Sequence, residues 1–115
     1  MEKSATQIAD DVLGSPGNLE VLRIHEFTDD ESAHDDEQVE ALYKSFRTTF
    51  ASACAELSDR FGPPLHVGIG DHKLIPLNGV FDYAIWTIED QLLYIAAAHE
   101  DRGVPILLMI GSEVL

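Results

Sequence analysis

Residues 36–61 carry the pattern that most limits what this chain can fold into. Apolar side chains recur there at steps of three and four, so they stay on one face of a helix for more than six turns. The stripe consists of Val39, Leu42, Tyr43, Phe46, Phe50, Ala53, Cys54, Leu57 and Phe61. Asp35 or Asp36 can cap the start of this helix, and the Gly-Pro-Pro sequence at 62–64 ends it. The long helix is therefore the central element of the predicted fold.

Two shorter elements are predicted before it. Ser4 followed by Gln7 matches a capping box, and Ile8 and Val12 then line one side, which predicts a short helix over 4–13. The Gly-Ser-Pro-Gly sequence at 14–17 ends that helix. The next segment, 19–27, is rich in branched aliphatic residues and predicts a strand.

From Leu65 onward the pattern changes to strands separated by turn residues. Segments 81–88, 92–100 and 104–111 are the clearest strands, 65–69 is a short one, and the loop after it could hold another around Lys73–Leu77. Because the connections Glu-Asp-Gln and Glu-Asp-Arg-Gly are short, an antiparallel meander is the natural topology. We expect an α+β fold in which an antiparallel β-meander packs against one long amphipathic helix, with a short N-terminal helix. Residues 1–115 are predicted to form a single domain.

The last strands are apolar at nearly every position, whereas a sheet face in water would alternate with polar residues. Both faces of the sheet are therefore predicted to be covered. The long helix covers one face. The first helix, or the second subunit of a homodimer, is expected to cover the other.

Composition limits the function classes. The net charge is −14, from 21 acidic and 7 basic residues, and a surface of this sign repels nucleic acid phosphates and anionic lipids. No apolar run approaches the ~20 residues that span a bilayer, and the N-terminus lacks signal-peptide features. A single cysteine, Cys54, fits a reducing compartment. We expect a cytoplasmic protein whose partners are cations, basic peptides or basic proteins, or one whose acidity serves only solubility.

The acidity is concentrated in residues 26–40, and no Lys or Arg occurs from Ile24 to Tyr43. The carboxylates of this segment are Glu26, Asp29, Asp30, Glu31, Asp35, Asp36, Glu37 and Glu40. Their mutual repulsion predicts an exposed loop over 28–35. This loop is either plain solvated surface or the surface that binds a basic partner.

Catalytic and metal sites have no specific support in the sequence. Neighbouring side chains of a strand point to opposite faces, so His99-Glu100-Asp101 is poor geometry for one metal ion and is typical of a turn. The acidic loop lacks the mid-loop Gly of a calcium-binding loop. Gly68–Leu74 resembles a phosphate loop only superficially, because no helix follows it. Cys54 lies on the apolar stripe, where a thiol is structural. We expect no cofactor, no metal and no catalytic residue.

Trp86 has two interpretations. If Phe81, Tyr83 and Ile85 share one face of a strand, Trp86 lies on the opposite face with Ala84 and Ile88. There it is either buried under a helix or exposed as an aromatic anchor for a partner.

The C-terminal half resembles a known class of proteins. Arg60–Pro64 closes a helix, and residues 83–111, YAIWTIEDQLLYIAAAHEDRGVPILLMIG, give a Trp strand, an apolar strand ending in His-Glu-Asp, and a final strand begun by Pro. This pattern, over about residues 57–111, resembles small immunity proteins of bacterial polymorphic-toxin and type VI secretion systems. The resemblance implies a non-enzymatic cytoplasmic inhibitor that binds and neutralises one toxin, and it transfers no contact residues.

The charge pattern agrees with that implication. Toxins that cut nucleic acid or nucleotides carry basic clefts, and an acidic segment can occupy such a cleft and speed association with it. The predicted partner-binding residues are therefore the eight carboxylates of 26–40 together with Trp86. The alternative is an effector chaperone or adaptor, or a regulatory module, that binds a basic protein.

Overall fold

The computed structural model describes residues 3–27, 35–101 and 104–115, and its longest element is the helix that the apolar stripe predicts. This helix, α2, spans Asp36–Phe61 and follows the N-terminal helix α1, Ala5–Leu13. Both caps form as predicted. Ser4 and Gln7 complete a capping box at α1, and the Asp35 carboxylate accepts the first free N–H groups of α2.

Five strands form one antiparallel sheet in the order β1-β5-β4-β3-β2. Their bounds are Leu19–His25 for β1, His66–Gly68 for β2, Val80–Ile88 for β3, Gln91–Ala98 for β4 and Ile106–Val114 for β5. Strands β3, β4 and β5 are the predicted meander, while β1 and β2 form the two edges. The α+β architecture, with one long helix and a short N-terminal helix, is confirmed.

The first face of the sheet carries the main core. Phe46, Phe50 and Leu57 of α2 pack on Trp86 of β3 and on inward side chains of β4 and β5. Helix α1 joins the same core through Ile8 and Val12, and the Ser112 hydroxyl of β5 donates a hydrogen bond to the Val12 carbonyl. Both helices therefore lie on one side of the sheet.

The second face is covered differently from the prediction. Because α1 packs beside α2, the expectation that the first helix closes the second face is wrong. Residues 71–79 cross that face instead, and Ile75 packs there on Ile85, Leu92 and Tyr94. The Asp71 carboxylate fixes one end of this segment by accepting the Val80 N–H at 3.0 Å. The segment covers β3 and β4 on the second face. These strands are therefore apolar on both faces because helices cover one face and this loop segment covers the other.

Two local predictions are also corrected. Residues 73–77 form turns and bends rather than a strand, and Ile75 and Leu77 of this segment pack on the second face while Leu74 is exposed. Phe81 packs with the first-face core rather than beside Tyr83 and Ile85, since the pairing register of β3 shifts between Val80 and Asp82. A bulge of this kind moves a side chain to the other face.

Within the described ranges, neither helix combines the length and the apolar character needed to cross a membrane.

Candidate functional site

An acidic pocket of about 540 Å³ lies where the start of α2 meets the end of β4. Its lining residues are Asp36, Val39, Glu40, Tyr43, His99 and Asp101. The first four lie at helical steps of three and four, so they share one face of α2. His99 and Asp101 come from the chain just after β4. The pocket thus joins two parts of the chain that are far apart in sequence.

Helix α2 presents its carboxylates from a fixed backbone. Asp35 is the N-cap, and its Oδ1 accepts the N–H groups of Glu37 at 3.1 Å and Gln38 at 3.2 Å. Asp36 and Glu37 follow in the first turn, where the positive end of the helix dipole stabilises negative charge. The side chains of Asp36 and Glu40 are exposed at the pocket mouth. Both carboxylates are therefore attached to helical backbone rather than to a loop.

The floor of the pocket is aromatic. The Tyr43 hydroxyl and His99 Nδ1 are 2.6 Å apart and share a hydrogen bond. The rings of Phe27 and Phe81 lie against this pair, with centroids 5.7 Å from His99 and 4.8 Å from Tyr43. His99 is only 9% exposed. This cluster joins α2 and β3 to the segments that follow β1 and β4, and it holds the Tyr43 ring in place.

Gly79 sets the position of His99. Its carbonyl oxygen accepts the His99 N–H at 3.0 Å, and its backbone has φ of 72°, a conformation that favours glycine. A Cβ at this position would lie 2.4 Å from the His99 carbonyl oxygen. The close approach of residue 79 to residue 99 therefore requires glycine.

The electrostatics of the pocket are negative. Asp36, Glu40 and Asp101 contribute carboxylates, and no Lys or Arg lines the pocket among the residues that the structure describes. Carboxylates beside an aromatic ring are the groups that ammonium and guanidinium groups generally prefer as neighbours. Among the described side chains, no three His, Cys, Asp or Glu residues are arranged to hold a metal ion.

The predicted carboxylates that the structure describes divide into three groups. Asp36 and Glu40 line the pocket, Asp35 supports it as the helix cap, and Glu37 and Glu26 are exposed but do not line it. Asp29, Asp30 and Glu31 lie outside the described residues, as does most of the predicted 28–35 loop.

Trp86 is not part of this site. It is 2% exposed, belongs to the first-face core, and donates its indole N–H to the Gly62 carbonyl oxygen at 2.8 Å. A side chain with so little accessible surface offers no contact area to a partner. The anchor interpretation of Trp86 is therefore wrong, and the core interpretation holds.

Sequence reasoning missed Val39, Tyr43, His99 and Asp101 as pocket residues. Val39 and Tyr43 were assigned to the apolar stripe, and His99 and Asp101 to a turn. The spacing of Asp36, Glu40 and Tyr43 places two acids and an aromatic ring on one helix face, and this was the available signal. Nothing in the sequence indicates that residue 99 completes the set.

Cys54 remains a structural residue. Its thiol is partly buried on α2, and burial, with a smaller contribution from the Asp82 charge, raises its pKa to about 12. The thiolate that a nucleophile requires is therefore disfavoured.

Comparison of the chain with protein-family models, with curated proteins and with solved structures found no significant match.

Proposed function

We propose that this protein is a non-enzymatic inhibitor that binds a basic toxin and occupies the cationic cleft of that toxin with its acidic surface. The observation that carries the proposal is the pocket lined by Asp36, Glu40 and Asp101 over the Tyr43 ring. A Lys or Arg side chain of the toxin enters this pocket. The resemblance of residues 57–111 to immunity proteins supports the same function, and such an inhibitor acts in the cytoplasm.

The net charge of −14 supports the kinetic side of this proposal. An immunity protein must capture its toxin before the toxin turns over. Long-range attraction between an acidic protein and a basic cleft raises association rates to about 10⁸–10⁹ M⁻¹s⁻¹ at low salt. Asp36 and Glu40 lie on helical backbone, so binding through these two residues does not require a loop to become ordered.

The test uses, as the toxin, the protein encoded by the gene next to the one that encodes this chain. Protection is measured in a growth assay, and affinity is measured by calorimetry with the two purified proteins. The variant Asp36→Asn/Glu40→Gln/Asp101→Asn removes the three pocket charges. We expect it to lose protection of growth, and to bind the toxin about 30-fold or more weakly, since breaking desolvated charge pairs costs about 2–5 kcal/mol.

A matched control removes three charges elsewhere. Asp59→Asn/Glu89→Gln/Asp90→Asn changes exposed acids at the far end of α2 and at the β3–β4 turn. These positions lie on the order of 25–35 Å from the pocket, from the rise per residue of helices and strands. The control should protect growth and bind nearly as well as the unchanged protein. Equal loss in both variants would mean that only net charge matters.

The toxicity of the bound partner distinguishes the immunity function from the chaperone or adaptor alternative. An inhibitor abolishes the toxicity of the protein it binds. A chain that binds its neighbour tightly and leaves that protein toxic would contradict the immunity function and favour the alternative.

A further inference from the structure

Asn78 immediately precedes Gly79, the glycine that sets the position of His99. The dipeptide lies in a bend at the end of the segment that crosses the second face, outside every helix and strand. The only other asparagine of the chain is Asn18, which precedes a leucine. Asparagine is a chemically labile residue, and the size of the residue that follows it controls its reactivity. The Asn78–Gly79 dipeptide is therefore the most reactive asparagine context in this sequence.

The local structure leaves the reacting groups of this dipeptide accessible. Asn78 is exposed, and Gly79 has no side chain to hinder approach to its backbone nitrogen. In the described ranges, the backbone hydrogen bonds outside helices and strands include none that the Gly79 N–H donates. The backbone nitrogen of Gly79 and the side-chain amide of Asn78 are therefore both open to reaction.

We propose that Asn78 is a site of spontaneous deamidation. The Gly79 backbone nitrogen loses its proton and forms a bond to Asn78 Cγ, while the side-chain nitrogen leaves as ammonia and carries away the equivalent proton. Water then hydrolyses the cyclic succinimide at either of its carbonyl carbons, which gives aspartate or isoaspartate. Both products carry an additional carboxylate. In isoaspartate the backbone also runs through the former side chain, so it is longer by a methylene group.

The longer backbone of isoaspartate conflicts with the contacts that hold the next residues. The Gly79 carbonyl oxygen accepts the His99 N–H at 3.0 Å, and the Val80 N–H donates to the Asp71 carboxylate at 3.0 Å. Gly79 already approaches the backbone of residues 99 and 100 so closely that a Cβ would clash there. The added methylene therefore moves Gly79 away from His99 and breaks their hydrogen bond.

This modification acts on the acidic pocket from outside it. His99 loses a backbone contact, and its Nδ1 shares the hydrogen bond with the Tyr43 hydroxyl at the pocket floor. The reaction itself needs only water, so it does not depend on the proposed toxin inhibition.

Incubation of the purified chain at mildly alkaline pH tests the site, because the Gly79 nitrogen reacts in its deprotonated form. Mass spectrometry of proteolytic peptides follows the conversion of Asn78 and of Asn18, which is also exposed. We expect Asn78 to convert about tenfold faster than Asn18 or more, since the backbone nitrogen after Asn78 belongs to a glycine. Asn78→Gln should stay unconverted over the same period, because attack on its longer side chain would form a larger and less favoured ring.

The structural consequence is measured on the aged product. Ion-exchange chromatography isolates it by its additional charge, and an isoaspartate methyltransferase measures its isoaspartate content. By NMR, the His99 amide should exchange with solvent about tenfold faster or more in the isoaspartate form than in the unmodified chain, because its acceptor is displaced. Freshly prepared Asn78→Asp gains the charge without the added methylene, so its His99 amide should exchange at the rate of the unmodified chain.

Two results overturn the proposal. One is conversion of Asn78 that is no faster than conversion of Asn18. The other is an isoaspartate form whose His99 amide exchanges as slowly as that of Asn78→Asp. Both asparagines are compared within the same unsubstituted chain, so the first result does not depend on the folding of any variant.

Discussion

Trp86 joins two elements at one residue. Its ring packs in the first-face core, while its indole N–H donates to the carbonyl oxygen of Gly62, the residue that caps α2. The hydrogen bond satisfies a carbonyl at the end of the helix, where backbone groups lack helical partners. The residue therefore fixes the end of α2 to β3.

Truncation of Trp86 should reduce stability rather than affinity for a partner. We expect Trp86→Ala to lower the free energy of unfolding by about 3–5 kcal/mol, because the substitution leaves a large cavity. Trp86→Phe keeps most of the ring and leaves the Gly62 carbonyl unpaired, at a cost of about 1–3 kcal/mol. Urea denaturation followed by circular dichroism measures both. Val67→Ala, at an exposed site, should cost little, and a similar loss there would contradict the assignment.

Asp82 is the other residue with a clear physical consequence. Its side chain is 15% exposed beside the irregularity in β3, and Arg47 Nε lies 3.2 Å from its Oδ2. Burial raises the pKa of Asp82 above its ordinary value of 3.8, and the Arg47 charge offsets only part of that effect. The folded state therefore favours the protonated carboxyl more than the unfolded state does.

The sign of the pH dependence follows from the raised pKa. A carboxyl that holds its proton more tightly in the fold costs nothing at pH below its unfolded pKa, and destabilises the fold as pH rises through the folded pKa. Asp82→Asn should thus raise the melting temperature at pH 7, and this gain should vanish below the ordinary value of 3.8. Thermal melts from pH 3 to pH 7 test this. The exposed Asp59→Asn serves as control, and a lower melting temperature of Asp82→Asn at pH 7 would contradict the prediction.

At the scale of elements, α2 is held by one face only. Phe46, Phe50, Ala53 and Leu57 are buried, while intervening residues such as Ala51 are exposed. The helix contributes to two structures at once, because its buried stripe covers the sheet and its first turn carries the acidic pocket. Disruption of the stripe would therefore remove the site as well as the core.

The buried face gives a direct test. Phe50→Asp would place an unpaired charge where the native side chain is 8% exposed. We expect a loss of about 4–5 kcal/mol or more, which approaches the whole stability of a small domain. Ala51→Asp changes the exposed neighbour and should melt cooperatively near the unchanged protein. A Phe50→Asp variant that melts cooperatively at the same temperature would show that the helix face is assigned wrongly.

At the scale of the whole molecule, charge is the dominant property. A net charge of −14 on 115 residues produces self-repulsion that opposes the compact state. The ion pairs that the structure shows, such as Lys3–Asp11 and Arg60–Asp10, involve exposed side chains and contribute little each. Stability should therefore depend on the ionic strength.

Added salt should stabilise this protein. Raising sodium chloride from about 0.01 M to about 1 M shortens the Debye length from about 30 Å to about 3 Å and screens the repulsion. We expect the melting temperature to rise over this range by several degrees. The triple pocket variant, with three fewer charges, should show a smaller rise. A melting temperature that is flat or falls with salt would mean that attractive ion pairs outweigh repulsion.

Local patterns by themselves determined both helices, their caps and the β3–β4–β5 meander. These elements depend on periodicity, on capping residues and on short turns, all of which act between residues close in sequence. The part of the pocket that lies on α2 could be predicted for the same reason. Asp36 and Glu40 are adjacent acids on one helix face, so their common direction follows from helical geometry.

Only the tertiary structure decided which layers cover the sheet and what completes the pocket. Helix α1 could have packed on either face, and it lies beside α2 while residues 71–79 cover the other side. Phe81 lies on the first face of the sheet because the pairing register of β3 shifts between Val80 and Asp82. His99 contacts Tyr43, and its position depends on Gly79, whose missing Cβ lets the two backbone segments approach closely. These outcomes depend on contacts between residues that are distant in the chain. The fold adopts the packing arrangement with the lowest total free energy, and local sequence patterns carry no information about that total.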